Sequence, residues 1–218
     1  MLYRLTKIVS GPFLHLLWRP RIEGSQYVPL TGPAILASNH LSILDSTFLP
    51  LMLPRKVSFV AKAEYFTGNP LTAMFMRGTG QIAIDRESAS AAQAMLDAAA
   101  DLLRKGELFG IYPEGTRSPD GRLYRGKIGV AWLALTTGAP VLPVAMIGTD
   151  RVLPPGRSVP RVHRIGVRIG EPMRFSGDPK DARTRREVTD QVMQAIQKLS
   201  GQEYVPVYAS SVKARLQE

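Results

Sequence analysis

The segment PAILASNHLSILDS (residues 33–46) decides the fold class, because an apolar run gives way here to polar residues and then to a helical pattern. Its first six residues have the composition of a buried strand. Further apolar runs predict strands at residues 57–61, 81–84, 108–112 and 141–147, and an alternating pattern predicts a strand nearer an edge at residues 162–169. Helical patterns occupy residues 89–105, 128–137 and 182–199. Strands that alternate with helices predict a single α/β domain, with a central mixed, largely parallel sheet flanked by helices.

The composition limits the chemistry that the chain can perform. Its 218 residues suffice for one domain with a sizeable core, and they include no cysteine, which excludes disulfides, thiolate metal sites, iron–sulfur clusters and a cysteine nucleophile. Lysine and arginine number 28 against 18 acidic residues, for a net charge of +10. Residues 151–186 carry much of this excess, with nine arginines and one lysine against three acidic residues. Such a charge favours a polyanionic partner: nucleic acid, anionic lipid or a phosphorylated small molecule.

The N-terminal segment combines apolar bulk with cationic side chains. Its best apolar run, Ile8 to Trp18, is interrupted by Pro12 and is well short of the ~20 residues that a helix needs to span a bilayer. The pattern predicts an amphipathic helical segment at residues 1–22 that lies in a membrane interface, followed by a folded domain at residues 23–218. The alternative is a helix packed on the protein's own core.

His40 is the best candidate for a catalytic group, because it follows a buried strand directly, and open α/β folds place reactive groups at the carboxyl ends of their strands. Asp45 is five residues further on, which in a regular helix would leave the two side chains about 140° apart. The pair therefore meets only if His40 precedes the helix or the first turn is irregular. There is no serine elbow, cysteine or metal-binding spacing to supply a nucleophile. A histidine base without a protein nucleophile implies attack by a substrate hydroxyl or by water.

A second polar cluster, YPEGTRS (residues 112–118), follows another predicted strand. Gly115 lets the backbone turn closely, Thr116 adds a hydroxyl and Arg117 offers a planar donor fork, which are the parts of a phosphate cradle. Lys62 and Arg86 end two further predicted strands. The alternative for residues 112–118 is a polar turn without a ligand.

Four ordered blocks of the chain resemble the glycerolipid acyltransferases, the family that contains 1-acylglycerol-3-phosphate acyltransferase. Residues 39–45 resemble its H-x(4)-D block, residues 80–86 its second block, residues 112–118 its E-G-T-R-S block and residues 139–144 its fourth, proline-containing block. The sequence departs from the family pattern at two positions. Ala83 stands where an aromatic residue is usual, which puts chain-length preference in question, and Tyr112 stands where phenylalanine is usual.

The resemblance implies a reaction and a set of site residues. His40, oriented by Asp45, would take the proton from the free hydroxyl of a lysophospholipid, which would attack the thioester of acyl-CoA or acyl carrier protein without an acyl-enzyme. The residues assigned to the acceptor's phosphate site are Lys62, Arg86, Glu114, Gly115, Thr116 and Arg117. The resemblance implies no metal or other cofactor. It makes residues 23–218 the acyltransferase domain, on a chain held peripherally or monotopically at the cytoplasmic face of the cell membrane by anionic lipid.

Three alternatives stay open at this point. The acceptor is 1-acylglycerol-3-phosphate by default, but a different lysophospholipid, glycerol-3-phosphate or a glycolipid would suit the same His/Asp pair. Water in place of the acceptor would make the protein a thioester or lipid hydrolase. Nucleic-acid binding would suit the charge, but no zinc finger or RNA-recognition signature accompanies it, so we expect no nucleic-acid partner.

Overall fold

The computed structural model describes residues 2–70, 73, 74, 76, 81–84, 91–154 and 159–216. Its helices in these ranges include Leu2–Trp18 (α1), Asp45–Met52 (α2), Glu64–Thr67 (α3), Ala91–Arg104 (α4), Gly129–Thr137 (α5), Thr149–Val152 (α6), Ala182–Ser200 (α7) and Ala209–Arg215 (α8). Its strands are Arg21–Glu23 (β1), Ala34–Ser38 (β2), Val57–Ser58 (β3), Val60–Lys62 (β4), Ile82–Ile84 (β5), Leu108–Ile111 (β6), Leu123–Tyr124 (β7), Val141–Ile147 (β8), Gly166–Ile169 (β9) and Tyr204–Val205 (β10).

A six-stranded sheet forms the centre of the domain, in the order β1-β9-β8-β2-β6-β3. Strands β8 and β9 pair antiparallel, and the other neighbouring strands pair parallel. All five residues of β2 are buried, as expected for a strand covered on both faces. The predicted α/β domain with a mixed, largely parallel sheet is therefore confirmed.

Alternate residues of β2 point into two separate apolar layers. Leu36 packs on the side that holds α1 and α2, whereas Ile35 packs on the side that holds α4, α5 and α7. The three predicted helices are confirmed as α4, α5 and α7, each within two residues of its predicted ends, except that residues 89–90 lie outside the described residues. The two layers bury the sheet and leave its carboxyl edge open for the loops that follow the strands.

The predicted strand at residues 57–61 is two strands in the structure. The chain leaves the main sheet at Phe59, whose backbone N–H donates to the side-chain oxygen of Gln81 at 2.9 Å and whose carbonyl accepts from the N–H of Ile82. From there β4 pairs with β5 in a separate two-stranded sheet. Only the first two residues of the predicted strand therefore lie in the main sheet. The part that Lys62 ends is in the separate sheet, because the contact with Gln81 diverts the chain after Ser58.

Helix α1 packs on the domain along one face and leaves apolar residues on the other. Its packed face includes Leu14, which is 3% exposed, and Trp18, whose ring lies 5.3 Å from that of Phe48. On the other face, Ile8 is 71% exposed and Leu16 is 73% exposed. None of the described helices has the length and hydropathy needed to cross a membrane.

Strand β1 straddles the predicted boundary after residue 22. Arg21, Ile22 and Glu23 pair in parallel with β9, so the chain has entered the main sheet before that boundary. The N-terminal helix ends at Trp18. The membrane role of residues 1–22 and the division of the chain at residue 22 stay predictions.

Candidate active site

His40 and Asp45 form a close pair in the loop between β2 and α2. Nδ1 of His40 lies 2.9 Å from Oδ2 of Asp45, and Asp45 begins the helix while His40 precedes it. This is the first of the two geometries in which residues five apart can meet. Asp45 is fully buried, whereas the His40 side chain keeps 15% exposure. Because Nδ1 is taken by Asp45, Nε2 is the ring nitrogen left to meet a substrate.

Asp45 also shapes the loop that carries His40. Its Oδ2 atom accepts the backbone N–H of Leu41 at 2.7 Å and of Ser42 at 2.8 Å. Within the described part of the chain, its Oδ1 atom is buried without a hydrogen-bond partner. One oxygen of a buried carboxylate thus holds both the ring and the backbone that presents it.

Glu114 lies beneath the same loop, 1% exposed. Its Oε2 atom accepts the backbone N–H of His40 at 3.1 Å, and its Oε1 atom accepts that of Tyr124 at 2.9 Å. Burial raises the pKa of Glu114 to about 7, and these two backbone donors oppose the rise. Both oxygens are engaged by backbone N–H groups, so Glu114 holds the loops of His40 and Tyr124 in place, and its assignment to a phosphate site stays a prediction.

A stack of three rings fixes the plane of the imidazole. The rings of His40 and Tyr112 lie 3.9 Å apart and within 10° of parallel, and Phe59 stacks on the far side of Tyr112 at 5.3 Å. Gly110 makes room for this arrangement, because a Cβ there would come within 2.2 Å of the Phe59 ring. The tyrosine hydroxyl, which the usual phenylalanine would lack, lies 2.9 Å from Oγ of Ser46. Burial and the charge of Asp45 raise the pKa of Tyr112, so this hydroxyl stays protonated.

The predicted phosphate cradle follows β6, beside the loop that follows β2. The backbone N–H of Ser118 donates to the carbonyl of His40 at 2.7 Å, so the two loops are joined. Gly115 has a φ of 73°, a left-handed conformation that favours glycine. Thr116 is partly buried and Arg117 is exposed at the surface of the loop. The structure therefore brings residues 114–117 to the His/Asp pair, as the parallel pairing of β2 and β6 requires.

For two of the predicted phosphate-binding residues, the structure describes no side-chain position. Arg86 lies outside the described residues, as do Gly80 and Asp85 of the second block. For Lys62 the structure describes the backbone alone, where it ends β4 opposite Ile84. Their assignment to the phosphate site stays a prediction. Ala83 pairs with Ala61 in the same two-stranded sheet.

Sequence reasoning missed a polar bridge that holds the residue before His40. The side chain of Asn39, fully buried, accepts the N–H of Met146 at 2.7 Å and donates to its carbonyl at 3.0 Å. The same amide donates to Gln202 at 2.8 Å, and Gln202 donates in turn to the carbonyl of Gly121 at 2.6 Å. A buried asparagine directly before the histidine was a usable signal, but Gln202 follows the last predicted helix and carries no pattern.

A cleft of about 560 Å³ opens beside the two loops. Its lining includes Leu41 and Ser118 from the two loops, together with Asp120, Asp150, Arg151, Arg161 and His163. It places part of the arginine-rich segment next to the candidate active site.

The arginine-rich segment, residues 151–186, is in part neutralised by the protein itself. Arg168 pairs with Glu23 at 3.1 Å and Arg183 with Glu187 at 2.9 Å. Arg186 pairs with Asp190 at 2.5 Å. Others, including Arg151, Arg161, Arg164 and Arg174, face solvent. The surface excess of positive charge is therefore smaller than the residue count implies, and Arg151 and Arg161 bring part of it to the cleft.

Comparison with known proteins places the His/Asp pair and the loops joined to it in one family. The family model described as Acyltransferase matches residues 19–147, a range that contains the His/Asp pair and both joined loops. The chain belongs to the acyltransferase family. Within the family, this member resembles the chloroplastic 1-acyl-sn-glycerol-3-phosphate acyltransferase of Arabidopsis thaliana, at 32% identity over 70% of this chain and 42% of that one. It is also 36% identical to 1-acyl-sn-glycerol-3-phosphate acyltransferase of Limnanthes douglasii, over 65% of this chain and 50% of the relative.

A solved structure shares the fold of this acyltransferase family member. The crystal structure of the 1-acyl-sn-glycerophosphate (LPA) acyltransferase PlsC from Thermotoga maritima superposes with a TM-score of 0.73 and 27% sequence identity. The superposition covers 90% of this chain and 79% of PlsC. The chain spans half the length, or less, of the Arabidopsis and Limnanthes relatives named above.

Proposed function

We propose that this protein transfers a fatty acyl group from a thioester donor, acyl-CoA or acyl carrier protein, to the free hydroxyl of 1-acylglycerol-3-phosphate, with phosphatidic acid as product. One observation carries the proposal: His40 is tied through Nδ1 to the buried Asp45 at 2.9 Å. The matching family and the activities for which the relatives are named agree with it.

The reaction follows from the geometry of the pair. Nε2 of His40 takes the proton of the acceptor hydroxyl as its oxygen attacks the thioester carbonyl carbon. The tetrahedral intermediate then expels the thiolate, so a C–O ester bond replaces the C–S bond. The imidazolium returns its proton to the thiolate sulfur. Asp45 compensates the positive charge that the ring carries between these two proton transfers, because its carboxylate lies against Nδ1.

The acceptor's phosphate is proposed to bind at the loop of residues 114–117. Arg117 is exposed there, and no carboxylate of the described residues pairs with it. A guanidinium suits a phosphate because it donates two parallel hydrogen bonds. We assign Arg86, the last residue of the second family block, and Lys62, which ends another predicted strand, to the same phosphate site. The thioester already activates the acyl group, so the proposed reaction uses no metal or other cofactor.

The lipid acceptor calls for contact with a membrane, and α1 offers a surface for it. Ile8 and Leu16 expose apolar side chains on the face of α1 that is turned away from the domain, with Arg19 exposed at the helix end. Apolar bulk beside a cation suits a helix lying on anionic lipid. We propose peripheral or monotopic attachment through this face to the cytoplasmic side of the cell membrane.

The test is an acyl-transfer assay with purified protein, a long-chain acyl-CoA and 1-acylglycerol-3-phosphate in mixed micelles. Wild-type protein should release CoA in step with phosphatidic acid. His40→Ala should lower turnover about 10²- to 10⁴-fold, the usual worth of a general base, while circular dichroism shows an unchanged fold. The exposed Lys198→Ala, on a helix of the layer opposite α1, is the control and should keep wild-type turnover.

Other products would point to other reactions. Release of CoA with free fatty acid in place of phosphatidic acid would make the protein a thioester hydrolase. Near-normal turnover of a folded His40→Ala variant would contradict the role of the pair. Transfer only to another lysophospholipid or to a glycolipid would keep the chemistry and change the acceptor.

A further inference from the structure

The C-terminal helix α8 reaches back to the loop that carries the predicted phosphate site. Nζ of Lys213, on this helix, donates to Oγ1 of Thr116 at 2.8 Å, a contact between residues 97 positions apart. The family model ends at residue 147, so this contact comes from a part of the chain beyond it. Thr116 lies between Glu114, which holds the N–H of His40, and Ser118, which holds its carbonyl.

Two more cations surround the same loop. The left-handed turn at Gly115 lets the Lys127 side chain pass close over it, because a Cβ at Gly115 would lie 2.9 Å from Cε of Lys127. Burial lowers the pKa of Lys213 from its ordinary value, and the positive charge of the nearby Arg117 lowers it further. Arg117, Lys127 and Lys213 therefore share one small surface.

This cluster lacks the negative charge that would balance it. Among the described residues, none of the three cations forms an ion pair with a carboxylate. The carboxylate that acts on Lys213 is that of Glu114, which is 1% exposed and has both oxygens engaged by backbone N–H groups. Three cations brought together without a counterion indicate a site for an anion.

We infer that Lys213 is a specificity-determining residue for the acceptor, and that with Arg117 and Lys127 it selects a phosphomonoester over a phosphodiester. The inference rests on the proposed function. A phosphomonoester carries a charge of about −1.5 to −2 at pH 7, since its second pKa is about 6, whereas a phosphodiester carries a single charge. A third cation therefore gains more from 1-acylglycerol-3-phosphate than from a lysophospholipid whose phosphate bears a headgroup. The headgroup also esterifies one phosphate oxygen, which leaves one fewer charged oxygen to accept hydrogen bonds from these cations.

Lys213 is not needed to hold α8 against the domain, because other contacts attach α8 and the segment before it. Strand β10 pairs with β7, and the N–H of Arg125 donates to the carbonyl of Val207 at 3.0 Å. Arg125 also lies over the ring of Tyr208, and Ala209 is fully buried. These attachments remain when the charge of Lys213 is removed.

The experiment compares Lys213→Gln, which removes the charge but can still donate to Thr116, with Lys213→Arg and with the control Lys198→Gln. Lys198 is exposed on α7. For each, kcat and KM are measured with 1-acylglycerol-3-phosphate, with lysophosphatidylglycerol and with the acyl-CoA donor. We expect Lys213→Gln to raise KM for 1-acylglycerol-3-phosphate about 10- to 100-fold, as for a lost charged hydrogen bond. The donor KM, kcat and the KM for lysophosphatidylglycerol should change less than threefold, Lys213→Arg should recover most of the loss, and Lys198→Gln should match wild type.

Two results would overturn this inference and leave the proposed function standing. One is a Lys213→Gln variant with an unchanged KM for 1-acylglycerol-3-phosphate. The other is an equal rise in KM for both acceptors, with no recovery in Lys213→Arg. A thermal unfolding curve of each variant shows whether a loss of activity comes from unfolding of the protein. If Lys213→Gln does not fold, Lys213→Arg still tests the inference. Wild-type protein that acylates neither acceptor would overturn the proposed function, and the inference with it, before any variant is compared.

Discussion

Replacing Asp45 by asparagine should separate the charge of this residue from its shape. Oδ2 accepts all three hydrogen bonds of the Asp45 side chain, from Nδ1 of His40 and from the N–H groups of Leu41 and Ser42. Oδ1 has no partner among the described residues. An asparagine can therefore place its oxygen where Oδ2 lies and its amide where Oδ1 lies. The loop and the ring keep their positions, and the negative charge disappears.

The size of the effect follows from what the charge does during the reaction. The His40 ring becomes positive when it takes the acceptor's proton, and the carboxylate then holds a charged hydrogen bond 2.9 Å long. Hydrogen bonds to charged groups are worth about 1.5–3 kcal/mol, which corresponds to about 10- to 150-fold in rate. The buried amide left without an acceptor should cost about 1–3 kcal/mol of unfolding free energy.

The assay measures kcat by thiol release at saturating donor and acceptor, alongside urea denaturation of each variant. Asp45→Asn should lie between wild type and His40→Ala. Asp45→Ala should fall to the level of His40→Ala, because the loop N–H groups also lose their acceptor. The exposed Asp101→Asn, on α4, is the control and should match wild type. A folded Asp45→Asn variant with kcat within twofold of wild type would refute the electrostatic role and leave Asp45 as a loop-shaping residue.

Three further predictions concern stability, the loop bridge and the membrane. Because the pKa of Glu114 is raised in the folded protein, the unfolded chain loses this proton at a lower pH than the folded chain does. The free energy of unfolding should therefore fall by about 3 kcal/mol between pH 4.5 and pH 7. Glu114→Gln should abolish that difference in urea denaturation at the two pH values, and an identical pH slope in both proteins would contradict the raised pKa. Gln202→Ala should cost about 1 kcal/mol of stability and lower kcat, because Asn39 loses a partner; unchanged thermal unfolding and kcat would remove the bridge from the site. Replacing both Ile8 and Leu16 by aspartate should lower the fraction of protein that floats with anionic vesicles about 10-fold or more. Undiminished flotation of the folded variant would assign lipid contact to another face.

The sequence predicted the parts of the site that depend on short distances along the chain. His40 and Asp45 are five residues apart, and the helical rotation allowed two geometries in which they meet; the structure has the one in which His40 precedes the helix. Residues 114–117 lie beside His40, as expected for parallel strands that bring their carboxyl ends to the same edge of a sheet, and their role in binding phosphate stays a prediction.

The parts that sequence could not predict depend on distant contacts or on very short elements. Strands β7 and β10 have two residues each, which is too few for a periodic pattern, yet they bring the C-terminal segment to the site. The turn of the chain at Phe59 depends on one side chain, Gln81, which no pattern marks. Helix α1 is apolar on opposite faces, so composition alone did not separate packing on the domain from contact with lipid; Leu14 packs inward while Leu16 remains exposed.

The polar bridge at Asn39 has a consequence for how the molecule reaches its active form. The residues that hold Asn39 and His40 lie 74, 107 and 163 positions away along the chain. Contacts between such distant residues close large loops and form slowly, whereas helices form from neighbours in microseconds or less. We therefore expect the loop of His40 to reach its final position only after these distant contacts have formed. The proposed activity should then return late when the unfolded chain is refolded.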